Sequence, residues 1–261
     1  MQQTAPTSTV VAPTLTRGPS VDFNGRAVLV TGASGGIGGA TVRRLSRAGA
    51  DVIASGRTED GLTELAAETG CRILAFDLSS EEEVRDALDG LDVYGVVNCG
   101  GDGGEIATPM DTDIGVFDRV LSENTRGALL VTKYTSASMI RLGVGGSIVN
   151  VSSQAALVAL YGHVSYAASK AALDSITRVS ALELGRYRIR VNSVNPTVVM
   201  TPMSKWYWGR TEIEEPFLRA MPLGRWATED EIAGPIVFLL SDDASMISGI
   251  TLPIDGGFTA Q

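Results

Sequence analysis

The stretch from Ala27 to Gly49 leaves the chain few folds to adopt. The β-branched run Ala27-Val28-Leu29-Val30 ends on Thr31-Gly32-Ala33-Ser34-Gly35-Gly36-Ile37-Gly38. Beyond it Ile37, Thr41, Leu45 and Ala48 recur at i, i+4, i+8 and i+11, one face of a helix that Gly49 closes. Strand, glycine turn and helix in that order open a βαβ unit. Glycines at such a turn let the backbone approach a pyrophosphate, and the helix N-terminus offers free N–H groups and partial positive charge. The spacing Gly32-x-x-x-Gly36-x-Gly38 is one residue longer than the usual Gly-x-Gly-x-x-Gly, and no Gly-Lys-Ser/Thr of a P-loop follows. Gly32, Ser34, Gly35, Gly36, Ile37 and Gly38 are therefore expected to cradle a dinucleotide.

The same alternation continues. Apolar runs at 52–55, 73–77, 93–98, 147–153, 189–194 and 250–254 read as strands, and helical patterns fill 59–69 and 81–88 between them. Two more helices are expected over 111–142, with a break near Asn124, and another runs from Tyr166 to about Leu184. Thr228 with Glu231 three residues on is a capping box for a late helix. Residues 201–222 read as less regular, with Trp206, Tyr207 and Trp208 exposed. Strands apolar on both faces, alternating with helices, mean a sheet covered on both sides. The fold class is α/β: one doubly wound Rossmann-type domain over 21–261, its central seven-stranded sheet mostly parallel and flanked by helices. Residues 1–20, rich in Thr, Pro, Ser and Val, read as a disordered tail rather than a signal peptide.

Charge narrows the partners. A net charge of −9 argues against nucleic acid or an anionic membrane, so an anionic cofactor needs a local basic pocket. One histidine and two separated cysteines, Cys71 and Cys99, leave a metal site almost no ligands; both thiols read as buried and structural. No run of about 18 apolar residues is present, and a cytoplasmic location is expected.

The second strand ends on Ser55-Gly56-Arg57-Thr58, with no carboxylate for a ribose 2′-hydroxyl and an arginine in its place. Arg57 and Thr58 suit a 2′-phosphate, so NADP(H) is favoured, with NAD(H) the alternative. Further on, Tyr166 and Lys170 stand four apart on one helix face, thirteen residues after Ser153. An ammonium beside a phenol favours the phenolate and lowers the phenol pKa from about 10. His163, one turn before Tyr166, reads as structural or substrate-orienting, and Trp206 as part of a lid or a subunit contact.

Together these residues resemble the short-chain dehydrogenase/reductase family. The resemblance rests on Thr31-Gly32-x-x-x-Gly36-x-Gly38, Asn124, Ser153, Tyr166-x-x-x-Lys170, the run Asn195-Pro196-Thr197-Val198-Val199-Met200-Thr201 and Asp255-Gly256-Gly257. Within the family, Val149-Asn150-Val151-Ser152-Ser153-Gln154 and Met221-Pro222-Leu223-Gly224 look most like L-xylulose (dicarbonyl) reductases and bacterial carbonyl reductases. The resemblance implies that Tyr166 protonates a carbonyl oxygen, Ser153 hydrogen-bonds it, Lys170 tunes Tyr166 and binds ribose, and Asn124 holds a water. It further implies that Asp77 and Leu78 border the adenine, that Asn98 and Gly100 line the cofactor, and that Pro196, Val199 and Thr201 hold the carboxamide. Asn98-Cys99-Gly100-Gly101 stands where the family has Asn-Asn-Ala-Gly. The expected activity is NADPH-dependent reduction of a small-molecule ketone or ketose to a secondary alcohol, by a homotetramer. The alternatives are a 3-oxoacyl-carrier-protein reductase, an NAD-dependent polyol or secondary-alcohol dehydrogenase, and a non-catalytic dinucleotide-binding protein.

Overall fold

A computed structural model describes residues 21–260, apart from the side chains of Pro202 and Met203. The expected N-terminal tail lies outside the described residues. Seven strands carry the fold: β1 (Ala27–Val30), β2 (Asp51–Gly56), β3 (Arg72–Ala75), β4 (Gly95–Asn98), β5 (Gly146–Val151), β6 (Ile189–Pro196) and β7 (Thr251–Ile254). They lie in the order β3-β2-β1-β4-β5-β6-β7, and all six pairings are parallel. Strand order reverses between β1 and β4, where the chain leaves one half of the sheet for the other. The carboxyl ends of strands flanking such a switch open a crevice.

Nine α-helices alternate with these strands among the described residues: α1 (Gly36–Arg47), α2 (Asp60–Thr69), α3 (Glu81–Leu88), α4 (Ile114–Leu121), α5 (Ala128–Leu142), α6 (Val164–Leu184), α7 (Pro202–Trp208), α8 (Thr211–Ala220) and α9 (Glu229–Leu240). One apolar cluster joins Val42 and Leu45 of α1 to Ile232 and Ile236 of α9. A second joins Val84 and Leu88 of α3 to Leu130 and Met139 of α5 on the opposite face. The middle strands are buried on both faces, which is why their sequences are apolar runs rather than alternations.

Local chemistry sets the helix ends. Ser80 accepts a hydrogen bond from the Glu83 N–H and caps α3, while the Thr228–Glu231 capping box forms as expected on α9. Residues 201–222 are more regular than the sequence suggested, holding α7 and α8. Thr201 and Ser204 make a further capping box on α7, with Pro202 in the first turn, and Pro216 falls within α8. Two prolines and a glycine, Gly209, obscured both helices. The expected break near Asn124 is a widened, π-helical turn over Ser122–Gly127 that joins α4 to α5.

Candidate active site

A cleft of about 500 Å³ runs across the carboxyl ends of β1, β2, β4, β5 and β6. One end is the glycine turn. Gly32 has φ 63°, and a Cβ there would stand 2.6 Å from the Gly100 Cα, so the turn and the end of β4 meet backbone to backbone. Thr31 ties them together, its Oγ1 accepting from the N–H groups of Cys99 (3.1 Å) and Gly100 (3.3 Å). A Cβ at Gly38 would fall 2.2 Å from the Gly32 carbonyl oxygen, so only glycine lets α1 start so close to the loop. The N-cap Gly35 makes no side-chain cap, leaving the α1 N-terminus open to an anion. These features fit a pyrophosphate.

Arg57 lines the next part of the cleft, with its side chain 75% exposed and Nη1 4.0 Å from Glu123. Asp77 and Leu78 line it too. Asp77 Oδ1 accepts from both N–H and Oγ of Ser79. Thr58 stands back from the cleft lining, its hydroxyl close to Gly61 at the start of α2. Burial, with Asp102 and Asp77 nearby, pushes the Glu123 carboxyl up against the pull of Arg57. Burial acts on Asp102 in the same sense, but the Gly104 N–H and Arg119 outweigh it and hold that carboxyl low.

Ser153, Tyr166 and Lys170 line the far end of the same cleft. Ser153 follows β5 and accepts from the Ala155 N–H at 3.1 Å, while Tyr166 and Lys170 share a face of α6. The Lys170 ammonium donates to the Val151 carbonyl at 2.9 Å and stands 5.6 Å from the Tyr166 ring centre. Burial lowers Lys170 to about 8. Burial also raises the Tyr166 phenol above its ordinary value, with the Ser153 hydroxyl opposing. This corrects the expectation that Lys170 would lower it. The ammonium is turned toward a carbonyl, and loss of solvent around the phenol dominates.

Asn124 is buried behind this trio rather than lining the cleft. Its Oδ1 accepts from the Asp102 N–H at 2.7 Å, and its Nδ2 donates to the Asp102 carbonyl and Ser169 Oγ, both at 2.9 Å. A Cβ on Gly101 would come within 2.7 Å of Asn124 Oδ1 and 3.5 Å of Lys170 Nζ, so the two side chains flank that glycine. Asn98 is a second correction. It is buried, outside the cleft, and its Nδ2 donates to Asn150 Oδ1 at 2.8 Å. Its Nδ2 also lies 3.3 Å from Thr132 Oγ1 of α5, so the side chain enters the helix layer, and alternation leaves the next residue, Cys99, on the cleft wall. Gly100 itself lines the cofactor side, where a Cβ would strike Leu78 at 2.4 Å.

Pro196, Val199 and Thr201 line the cleft beyond β6. His163 and Trp206 do so as well, but the three neighbouring aromatics are not uniformly exposed. Trp206 is 63% exposed, whereas Tyr207 and Trp208 are half-buried. The His163 ring lies 5.7 Å from Tyr207 and 5.4 Å from Trp208, and Trp208 reaches Phe217 at 4.9 Å. Burial lowers the His163 pKa, countered by the Tyr161 carbonyl 2.7 Å from Nδ1. Cys71 is buried as expected, but Cys99 is half-buried on the cleft wall, where loss of solvent pushes its thiol up to about 11.

Sequence reasoning missed Gln154. It is 1% exposed, lines the cleft beside Ser153, and neither amide atom has a partner among the described residues. A glutamine at a strand end gives no such signal by itself.

A family model described as enoyl-(acyl carrier protein) reductase matches residues 32–259. The chain is 43% identical to an L-xylulose reductase of Caenorhabditis elegans over 245 residues, 91% of this chain and 97% of that one. It is 36% identical to carbonyl reductase [NADPH] 2 of Sus scrofa over 242 residues, 92% of this chain and 99% of that one. The chain belongs to the short-chain dehydrogenase/reductase family. A short-chain type dehydrogenase/reductase from Mycobacterium ulcerans superposes with TM-score 0.88 at 31% identity, covering 92% of each chain. This short-chain dehydrogenase/reductase is an oxidoreductase acting on carbonyl and CH–OH groups.

Proposed function

We propose that the chain reduces a small ketone or ketose to a secondary alcohol with NADP(H), in the manner its L-xylulose reductase relatives are named for. The observation that carries this reading is one continuous cleft with an anion-binding helix end and Arg57 at one side and Ser153, Tyr166 and Lys170 at the other. NADPH bound there supplies the hydride. The glycine turn and α1 would hold its pyrophosphate, Arg57 and the Ser34 hydroxyl its 2′-phosphate, and Lys170 its nicotinamide ribose. Pro196, Val199 and Thr201 would hold its carboxamide.

Tyr166 then donates its proton to the carbonyl oxygen. Because burial raises its pKa, the phenol is protonated at neutral pH, as an acid for reduction must be. Ser153 donates to the same oxygen and stabilises the charge that develops, a contribution of about 3 kcal/mol in comparable donors. Lys170 keeps a cation beneath the phenol, and Asn124 maintains the widened turn through which water can return a proton to Lys170. Gln154 and His163 would orient the substrate's second oxygen, with Trp206 at the entrance.

Unpaired Cys71 and Cys99 match a reducing compartment, which supports a cytoplasmic location. Apolar Leu129 and Leu142 on α5 and Val179 and Leu182 on α6 are exposed, which supports assembly through these helices into a homotetramer. NADPH absorbance with a panel of ketoses, diketones, acetoacetyl esters and aryl ketones tests the activity. Oxidation by the ketoses or diketones is expected, and turnover of acetoacetyl esters alone would refute the substrate class. Size-exclusion chromatography tests the assembly.

A further inference from the structure

Asp174 lies one turn beyond Lys170 on α6 and is 3% exposed. No arginine, lysine or histidine pairs with it within 4 Å among the described residues. A buried carboxylate is costly unless its oxygens are hydrogen-bonded, so its partners identify what it holds in place. Oδ1 accepts from Ser193 Oγ at 2.7 Å and Oδ2 from Asn195 Nδ2 at 2.8 Å. Asn195 donates its other amide hydrogen to the Ser153 carbonyl at 3.0 Å, and Ser193 Oγ stands 3.3 Å from Asn195 Oδ1. Asp174 and Ser193 therefore fix which way the Asn195 amide faces. That amide clamps the backbone of Ser153 from below, while the Ala155 N–H orients the hydroxyl above.

Lys170 stands one turn before Asp174 on the same face of α6. The ionisable groups acting on it are the Cys99 thiol from the end of β4 and Asp174 from its own helix, and the Tyr166 ring faces it. Cys99 and Tyr166 are neutral at pH 7, since burial raises both.

We infer that Asp174 is a positioning residue for the reduction, orienting Ser153 through Asn195 and placing a carboxylate one helical turn from Lys170. This rests on the reading given under Proposed function. Asp174→Asn removes the charge yet can keep both contacts, with Nδ2 on Ser193 Oγ and Oδ1 on Asn195 Nδ2. Asn195→Ala removes the link to Ser153 and keeps the charge.

The direct test is a ¹³C-lysine NMR titration of the full chain, run beside pH profiles of ketone reduction. The chain holds three lysines, Lys133, Lys170 and Lys205, so arginine substitution of the other two assigns Lys170. In Asp174→Asn the Lys170 midpoint and the alkaline limb of kcat/KM should both fall by about half a pH unit or more. Asn195→Ala should lower kcat roughly threefold to tenfold, the scale of a lost buried hydrogen bond, with the Lys170 midpoint unmoved. NADPH Kd should stay within about twofold in Asn195→Ala, whose lost contact ends at the Ser153 carbonyl. An unchanged Lys170 midpoint in Asp174→Asn, or an unchanged kcat in Asn195→Ala, overturns the assignment while leaving the reductase reading intact. A native chain that turns over no ketone overturns that reading, and this one with it.

Discussion

The proposed preference for NADPH rests on one exposed side chain, which makes Arg57 the sharpest place to press. Arg57 faces Glu123 at 4.0 Å in a cleft also lined by Asp77 and Asp102, so its positive charge stands among three carboxylates. A hydrogen bond to a charged group contributes about 1.5–3 kcal/mol, and an arginine 75% exposed belongs at the low end. Arg57→Ala should therefore lower kcat/KM for NADPH about tenfold, the equivalent of 1.4 kcal/mol, with NADH little changed. Arg57→Asp adds a fourth carboxylate, worth about 1 kcal/mol more at close range in a water-like dielectric. The NADPH/NADH ratio should then fall by about 60-fold in total. Steady-state kinetics with both cofactors and one ketone measures the ratio, and the loss should shrink as salt is raised. A ratio that stays within threefold of the native value in Arg57→Asp, judged against that ~60-fold expectation, refutes the reasoning.

Gly38→Ala drives a Cβ to 2.2 Å from the Gly32 carbonyl, so dinucleotide binding should be lost while the far end of the cleft keeps its fold; calorimetry with NADPH checks this. Reductase kcat/KM should decline as pH rises through about 8, because Lys170 surrenders its charge there rather than near its ordinary 10.5. A profile flat to pH 10 would contradict it. Glu231 is held near 2 by Arg225 first and then by the Thr228 N–H, below its unfolded value of 4.5. The stability it contributes is present above about pH 4.5 and lost as pH falls toward 2. Glu231→Gln should lower Tm by about 2–4 °C at neutral pH and hardly at all near pH 2, as read by calorimetry.

Much of this molecule is written in local pattern. The run from Val28 to Val30, the glycines at 32, 36 and 38, and the recurrence of Ile37, Thr41 and Leu45 place the first βαβ unit before any tertiary contact is known. The Tyr166 and Lys170 spacing likewise puts both side chains on one face of α6. What the pattern does not carry is direction and environment. Asn98 lies on a strand that borders the cleft, but alternation aims it at Asn150, which depends on register with β5. The Tyr166 phenol is raised rather than lowered because burial strips its solvent, while the Lys170 ammonium points at the Val151 carbonyl nineteen residues back in the chain. Tyr207 and Trp208 are covered by His163, some forty residues back in the chain, and Trp208 also by Phe217 of the following helix. Asp174 gave no sequence signal, and Gln154 entered only as the last residue of a family-like run: one is a carboxylate further along the Tyr166 helix, the other an amide after a strand.

The central claim is that hydride from NADPH reaches a ketone carbon while Tyr166 protonates its oxygen. Native protein incubated with [4-²H]NADPH and a reactive diketone or ketose should give an alcohol carrying deuterium at the carbinol carbon, detected by mass spectrometry. Tyr166→Phe should bind NADPH with near-native affinity and yield no labelled alcohol. Labelled product formed by Tyr166→Phe at the native rate, or none formed by the native chain, would contradict the account.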